Sequence, residues 1–227
     1  MEQISKLQAE KYDFETREML AFTDTVICEY KFSLEVKGHG SFEFTCTPHQ
    51  LEELIIGFLN TKGMIIHSRE IEQINFNKDK TKAEITLSNP CETHLPKKHD
   101  PQDINMTKVL DLIKAFNIKD ELFEQTGALH CCLIAVNGEV KYNVLDMGRH
   151  NAIDKAIGLA LMDEIDFSQC MLLTSGRLPE EIVDKVAFAG IPILVSRSAP
   201  TKQAVQKAKK YGVRLLGFAG LKRINIY

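Results

Sequence analysis

The sequence predicts an α/β protein in two parts: a small β-rich N-terminal part and a larger αβα part built from crossovers. Three observations carry this expectation. From residue 129 onward, apolar strand-like runs alternate with helical ones. Asn137-Gly138, the strongest two-residue hairpin signal, separates Leu129–Val136 from Val140–Leu145. Three times in the second half, an apolar strand runs into a short turn bearing an arginine and then into a helix.

In chain order, residues of about 25 to 47 alternate well enough for two strands. These are Val26–Phe32 and Ser41–Thr45, on either side of a turn at Gly38 and Gly40. Thr47-Pro48 then opens a helix, with Thr47 as N-cap and Pro48 at the first helical position. Leu51, Leu54, Ile55, Phe58 and Leu59 form its apolar stripe. Residues 70–87 read as a hairpin turning at Asn77–Lys80. The polar, proline-containing stretch 88–103 reads as a linker, dividing the chain into domains 1–102 and 103–227. Met106–Phe116 is an amphipathic helix, and the Asn-Gly hairpin follows. Next come helix Asn151–Met162, strand Cys170–Thr174, helix Pro179–Ala189, strand Ile191–Val195, helix Pro200–Tyr211 and strand Val213–Phe218. A short last strand spans Arg223–Tyr227. Right-handed crossovers with helices on both sheet faces are expected.

Composition narrows the function classes. The 28 Lys and Arg residues stand against 31 Asp and Glu, a net charge of −3. That balance gives no reason to expect nucleic acid or an anionic membrane as partner. Residues 1–14 are polar and mixed in charge, unlike a signal peptide, and apolar runs such as Leu54–Leu59 are too short to span a bilayer. A cytoplasmic location is expected. The six cysteines are unevenly spaced, two of them adjacent at Cys131 and Cys132, which is not the pattern of a secreted disulfide framework. No Cys-x-x-Cys occurs, so no zinc site is expected.

The three Arg-bearing turns are Leu145–Asn151, Leu173–Arg177 and Val195–Thr201, carrying Arg149, Arg177 and Arg197. In an open parallel sheet such turns share the edge at the carboxyl ends of the strands, where ligands bind. Helix starts and guanidiniums there suit a ligand with several phosphates or similar oxyanions. His150 is a cap or a ligand contact. Gly148 and Gly176 serve the turns, and Asp146 and Asp154 orient Arg149 and Lys155 by ion pairing. Cys28, Cys46 and Cys170 lie in apolar strand patterns and read as core.

Several stretches resemble the formate dehydrogenase accessory proteins, the FdhD sulfur carriers. They are Thr126–His130, Asp146-Met147-Gly148-Arg149-His150-Asn151-Ala152-Ile153-Asp154-Lys155, Ser175-Gly176-Arg177, Ser196–Thr201 and Gly217-Phe218, with Thr47-Pro48 and Leu51–Leu59 in the first half. The resemblance implies a cytidine-deaminase-like αβα fold for the second half. Where deaminases place His-Ala-Glu and Pro-Cys-x-x-Cys to hold zinc, this chain has Arg149-His150-Asn151 and Ser175-Gly176-Arg177. It also implies an accessory role in formate dehydrogenase maturation. Sulfur would be taken from a cysteine desulfurase as a persulfide and passed to the molybdenum (or tungsten) bis-molybdopterin guanine dinucleotide cofactor. A homodimer is implied as well. Binding would use Arg149, His150, Ser175, Gly176, Arg177, Ser196 and Arg197. The family's C-terminal cofactor stretch is matched by Phe218, Ala219, Gly220, Leu221, Lys222 and Arg223.

The family carries its persulfide in a Cys-x-x-Cys loop between the halves, and this chain has the single Cys91 there. Cys131 and Cys132 are the other candidates. On a strand, Cys132 shares a face with His130, which could activate it, while Cys131 points to the opposite face. The alternative is a cofactor-binding chaperone that has lost sulfur transfer.

Overall fold

The computed structural model describes residues 2–89, 93–100, 103–116 and 121–227. It opens on a long antiparallel hairpin, β1 (Ile4–Asp13) and β2 (Glu18–Ile27), paired over its whole length. Asp13 Oδ1 accepts the amides of Glu15 and Thr16 at 2.8 and 3.0 Å, and Arg17 takes the left-handed conformation that closes the turn. No strand is legible in the sequence before residue 25 because neither face of this hairpin is consistently apolar. The run Val26–Phe32 is divided: β2 ends at Ile27 and β3 (Tyr30–Val36) starts a second sheet.

That sheet adds β4 (Gly40–Cys46), β5 (Ile71–Phe76) and β6 (Lys82–Leu87) in the order β4-β3-β6-β5, with β3 and β6 parallel. Helix α1 (Leu51–Thr61) lies between β4 and β5 in the chain and buries all five residues of the expected stripe. Its start differs from expectation. Gln50, in the left-handed conformation, precedes the first turn without a side-chain cap, and Thr47 is not the N-cap. Thr47 is committed elsewhere: its amide and hydroxyl both donate to Asp146.

The second half supplies α2 (Met106–Phe116), α3 (Glu121–Thr126), β7 (His130–Val136), β8 (Glu139–Asp146), α4 (Arg149–Met162), β9 (Cys170–Thr174), α5 (Glu180–Ala189), β10 (Ile193–Ser196), α6 (Lys202–Tyr211), β11 (Arg214–Gly217) and β12 (Asn225–Ile226). The six strands are ordered β12-β11-β10-β9-β7-β8. Strands β9, β10 and β11 are parallel, and the outer pairs are antiparallel. Asn137 and Gly138 take φ of 54° and 86°, the paired left-handed conformation of a type I′ turn. The short helix α3 is an addition to the expected elements.

Helices α4, α5 and α6 all pack on one face of this sheet, with Ile157, Val186 and Ala208 against Cys132, Leu172 and Leu215. Helix α2 covers the other face through Val109, Leu112 and Ile113 against Leu133, Leu173 and Val195. The crossovers therefore do not alternate between faces. The parallel strands advance in one direction, and right-handed crossovers then stay on one side. The mixed α/β fold is compatible with a deaminase-like arrangement. Among the described residues no helix is long and apolar enough to cross a membrane.

Helix α1 packs between the four-stranded sheet and α4, so one apolar cluster runs from Phe32 and Ile85 through Leu54 and Ile55 to Ile153 and Ile134. The two helices meet backbone to backbone. A Cβ on Gly57 would overlap the Asp154 carbonyl, and one on Gly158 would overlap the Glu53 carbonyl. Neither neighbour is a movable side-chain tip. Gly57→Ala and Gly158→Ala should each destabilise the protein by about 1–3 kcal/mol or more, read as a lower urea midpoint. An unchanged midpoint would mean that the helices can separate at no cost.

Candidate anion-binding site

The site begins with a carboxylate that water does not reach. Asp146, the last residue of β8, is fully buried. Its Oδ1 accepts Gly148 N–H at 2.8 Å and Asn151 Nδ2 at 3.0 Å. Its Oδ2 accepts the Thr47 amide and hydroxyl at 3.0 Å each and Lys155 Nζ at 2.6 Å. Lys155 is equally buried and also donates to Thr47 Oγ1 at 2.8 Å. Further along α4, Asp154 takes both Lys185 Nζ (2.7 Å to each oxygen) and Thr61 Oγ1 (2.8 Å). The expected pairs are thus corrected: Asp146 holds Lys155 but not Arg149, and Asp154 holds Lys185. Asn151, Asp154 and Lys155 face inward, tying α4 to the first half of the chain, and Asn151 also donates to the Thr45 carbonyl at 2.7 Å. Lys185 escaped the sequence reading although a signal was present. It lies at helical spacing with Ile182, Val186 and Ala189, inside the buried stripe of α5.

With the inward side of α4 anchored, Arg149 and His150 stand at the edge of the six-stranded sheet. Strand β7 is antiparallel to its neighbours, so its first residue, His130, lies at this edge opposite Asp146. The turns after β9, β10 and β11 follow in order and are fastened to one another. Ser175 N–H donates to the Cys131 carbonyl at 3.0 Å, and Ser175 Oγ accepts Cys131 N–H at 3.1 Å. Ser196 Oγ donates to the Gly176 carbonyl at 2.7 Å, and Ser198 Oγ donates to the Ser175 carbonyl at 3.0 Å. The amides of Phe218 and Ala219 donate to the carbonyls of Ser198 and Ser196 at 3.1 and 2.9 Å. Gly220 N–H closes the last turn on the Arg223 carbonyl at 3.0 Å. Arg223 places its guanidinium 5.7 Å from the exposed ring of Phe218.

Gly176 is required for steric reasons, since a Cβ there would fall 2.8 Å from Arg149 Cβ and Cδ. The Arg149 stem lies against this glycine, and its Nε is buried with no hydrogen-bond partner. Arg177, Arg197, Leu221, Lys222 and Arg223 are exposed. Every residue expected to bind the anion therefore lies along one edge.

The FdhD/NarQ family model matches residues 27–102 and 91–227. The chain belongs to the FdhD/NarQ family. Among its relatives, the sulfur carrier protein FdhD of Wolinella succinogenes is 29% identical over 230 residues, covering 90% of this chain and 80% of the relative. The protein of the same name from Listeria monocytogenes is 27% identical over 243 residues, covering 94% and 93%. The fold matches a crystal structure titled as a candidate formate dehydrogenase accessory protein from Desulfotalea psychrophila. Its TM-score is 0.82 at 24% identity, covering 99% of this chain and 96% of that one.

For a member of the FdhD/NarQ family, the cysteines matter next. Cys132 is fully buried, and burial pushes its thiol well above the usual range, with Cys131 and Asp154 adding to the effect. His130 does not act on it; its Nδ1 lies 3.2 Å from Ser175 Oγ instead. The expected activation of Cys132 by His130 therefore fails, because this side of β7 faces the α4 core. Cys46 and Cys170 are buried too, and burial raises both thiols to about 12. Cys131 is half-buried on the opposite face, with Sγ donating to Asn143 Oδ1 at 2.8 Å. Cys91 lies outside the described residues.

The buried charges and the histidines each have a measurable consequence. Asp146→Asn or Lys155→Met alone leaves a buried group uncompensated and should cost about 3–5 kcal/mol of stability by urea unfolding. Loss under about 1 kcal/mol would show that the pair does not anchor α4. Among the histidines, burial, then Arg149, holds His130 below the ordinary 6.5 against the pull of Asp146. Burial, then Lys185 and Arg149, does the same for His150 against Asp154 and Glu181, and burial and Lys97 lower His99. Each takes up its proton more readily unfolded, so their stabilisation is complete above about pH 6.5 and is lost as pH falls below it. The urea midpoint should drop between about pH 7.5 and about pH 5.5. The drop should shrink in the His130→Gln/His150→Gln variant, and an equal drop there would contradict the assignment.

Proposed function

We propose that this protein is an accessory sulfur carrier for formate dehydrogenase whose sheet edge binds the guanine-dinucleotide form of the molybdenum (or tungsten) cofactor as cargo. The observation that supports this most is the linked row of turns with Arg149, Arg177 and Arg197, ending in the 218–223 stretch. Guanidinium forks pair with phosphate oxygens in two-point geometry. The unpartnered, buried Arg149 Nε is a donor that a phosphate oxygen would satisfy, so the residues present fit a pyrophosphate-bearing ligand. Serine-to-carbonyl bonds between turns hold these groups before any ligand arrives, which lowers the ordering cost of binding. The cargo supplies the metal centre that accepts sulfur. The chain supplies phosphate clamps, the neutral imidazoles of His130 and His150, and a cysteine to carry the sulfur from a cysteine desulfurase.

Cys131 and Cys91 are the carriers this reading uses, since Cys132, Cys46 and Cys170 are sealed in the core. The same burial favours a second reading, a cofactor-binding chaperone that shares the site and needs no cysteine. The expected partners are a cysteine desulfurase, formate dehydrogenase and a second copy of the chain.

Arg149→Ala and Arg177→Ala should each weaken GDP binding at least tenfold by calorimetry, about 1.4 kcal/mol per tenfold step. Unchanged affinity in both would refute the site. Mass spectrometry after incubation with a cysteine desulfurase and cysteine should find added sulfur on Cys91 or Cys131. Sulfur on Cys132 would contradict the burial argument, and no sulfur with intact GDP binding would establish the chaperone reading.

A further inference from the structure

At the far end of α4 from Arg149, about 18 Å along the helix at about 1.5 Å per residue, lies a cavity of about 350 Å³. No sequence motif points to it, and the anion site does not use it. Three helices end on it: Asn60 belongs to the last turn of α1, Leu161 to that of α4, and Phe188 and Ala189 to that of α5. A helix C-terminus carries partial negative charge, and none of these three has a basic residue in its last turn. Helix α6, by contrast, ends on Lys209 and Lys210. Asn60 is only 4% exposed. Its Nδ2 donates to the Ile65 carbonyl at 3.1 Å, while its Oδ1 is buried with no hydrogen-bond partner. A buried acceptor left unpaired is costly, so this atom calls for a donor. Of the two acids lining the cavity, Asp166 is taken up by the Ser168 amide at 3.0 Å. Glu164 is exposed and carries no ion pair among the described residues. Two exposed cations line it as well. Arg69 has no ion pair among the described residues. Lys97 is fixed by its amide on the Ala187 carbonyl at 2.9 Å, and its side chain lies over Gly190, the C-cap of α5.

We infer that this cavity is a second binding site and takes an apolar α-amino acid, its ammonium inward toward Asn60 and its carboxylate outward toward Arg69 and Lys97. An ammonium brings three donors and a positive charge, which match a buried amide oxygen, the free carboxylate of Glu164 and three negative helix ends. The carboxylate on the same carbon meets the guanidinium fork and the lysine. Ile66, Phe167 and Phe188 give the side chain an apolar wall. The volume is that of a small-molecule site and far exceeds the needs of a bare metal ion. Nor do the described residues contain a cluster of three metal-ligating side chains. A polyamine would be repelled by Arg69 and Lys97, and a simple carboxylate would leave Asn60 Oδ1 unpaired. This inference stands apart from the nucleotide-binding reading above, because the two sites lie at opposite ends of α4.

The test uses calorimetry on the full chain with L-leucine and two relatives that each lack one charge. These are 3-methylbutylamine, without the carboxylate, and 4-methylpentanoate, without the ammonium. L-Leucine should bind at least tenfold more tightly than either. Arg69→Ala, an exposed change that should leave the urea midpoint in place, should remove the advantage of L-leucine over the amine. Asn60→Leu should abolish L-leucine binding. Because Asn60 is buried, backbone amide shifts of the wild type supply a reading that needs no variant. L-Leucine should move residues 60, 66–69, 161–167 and 187–190 and spare 175–178. Failure of L-leucine to bind would mean that the cavity holds water alone and would overturn the inference. Equal binding of either relative, an unchanged preference in Arg69→Ala, or shifts confined to other segments would overturn it as well.

Discussion

The carboxylate of Asp146 is the constraint on which the rest of the structure depends. It sits at the end of a strand, fully buried, and takes hydrogen bonds from Thr47, Gly148, Asn151 and Lys155. A charge without water needs this many partners, because its desolvation costs several kcal/mol even after relaxation. Its donors come from both halves of the chain: Thr47 from the approach to α1, and Asn151 and Lys155 from α4. Asp154 repeats the arrangement with Thr61 and Lys185. A threonine from the first half therefore reaches each of two buried ion pairs across the same joint, and Gly57 and Gly158 let the two helices close around it. Specific partners of this kind allow one helix register where apolar packing alone tolerates several.

That register positions the site. With Asn151 and Lys155 turned inward, Arg149 must emerge at the sheet edge, where Gly176 leaves room for its stem. The serines then serve the neighbouring turns as Asp146 serves the helix, each hydroxyl or carbonyl fixing the next turn in the row. The positive edge is thus held in place by neutral hydrogen bonds, and Arg177 and Arg197 remain exposed. The FdhD/NarQ stretch Gly148–Lys155 has two roles in one short helical segment: its first residues face outward at the sheet edge, and its later ones brace the interior.

Much of this was legible where one physical effect dominated. Met106–Phe116 has the bounds its amphipathic pattern suggested, because a single face packs on the sheet. Asn137-Gly138 turned as its left-handed preference requires. Sequence reasoning failed where tertiary partners overrode local ones. Thr47 has the chemistry of an N-cap, but a buried carboxylate 99 residues away claims its hydroxyl. Lys185 reads as a surface charge until Asp154 is placed beside it. The hairpin before residue 28 lacks a clean apolar face, so no alternation announced it. Strand alternation puts adjacent Cys131 and Cys132 on opposite faces, but only the structure shows that the pleat turns Cys131 toward α2 and seals Cys132 toward α4.

The central claim is that these four linked turns form one anion site at one sheet edge. Backbone amide chemical shifts recorded by NMR during a GDP titration test it most directly. The account predicts the largest changes at residues 148–150, 175–178, 196–198 and 218–223, saturating together with one affinity. Changes confined to other surfaces, such as the 4–27 hairpin, or separate affinities for the separate turns, would contradict it.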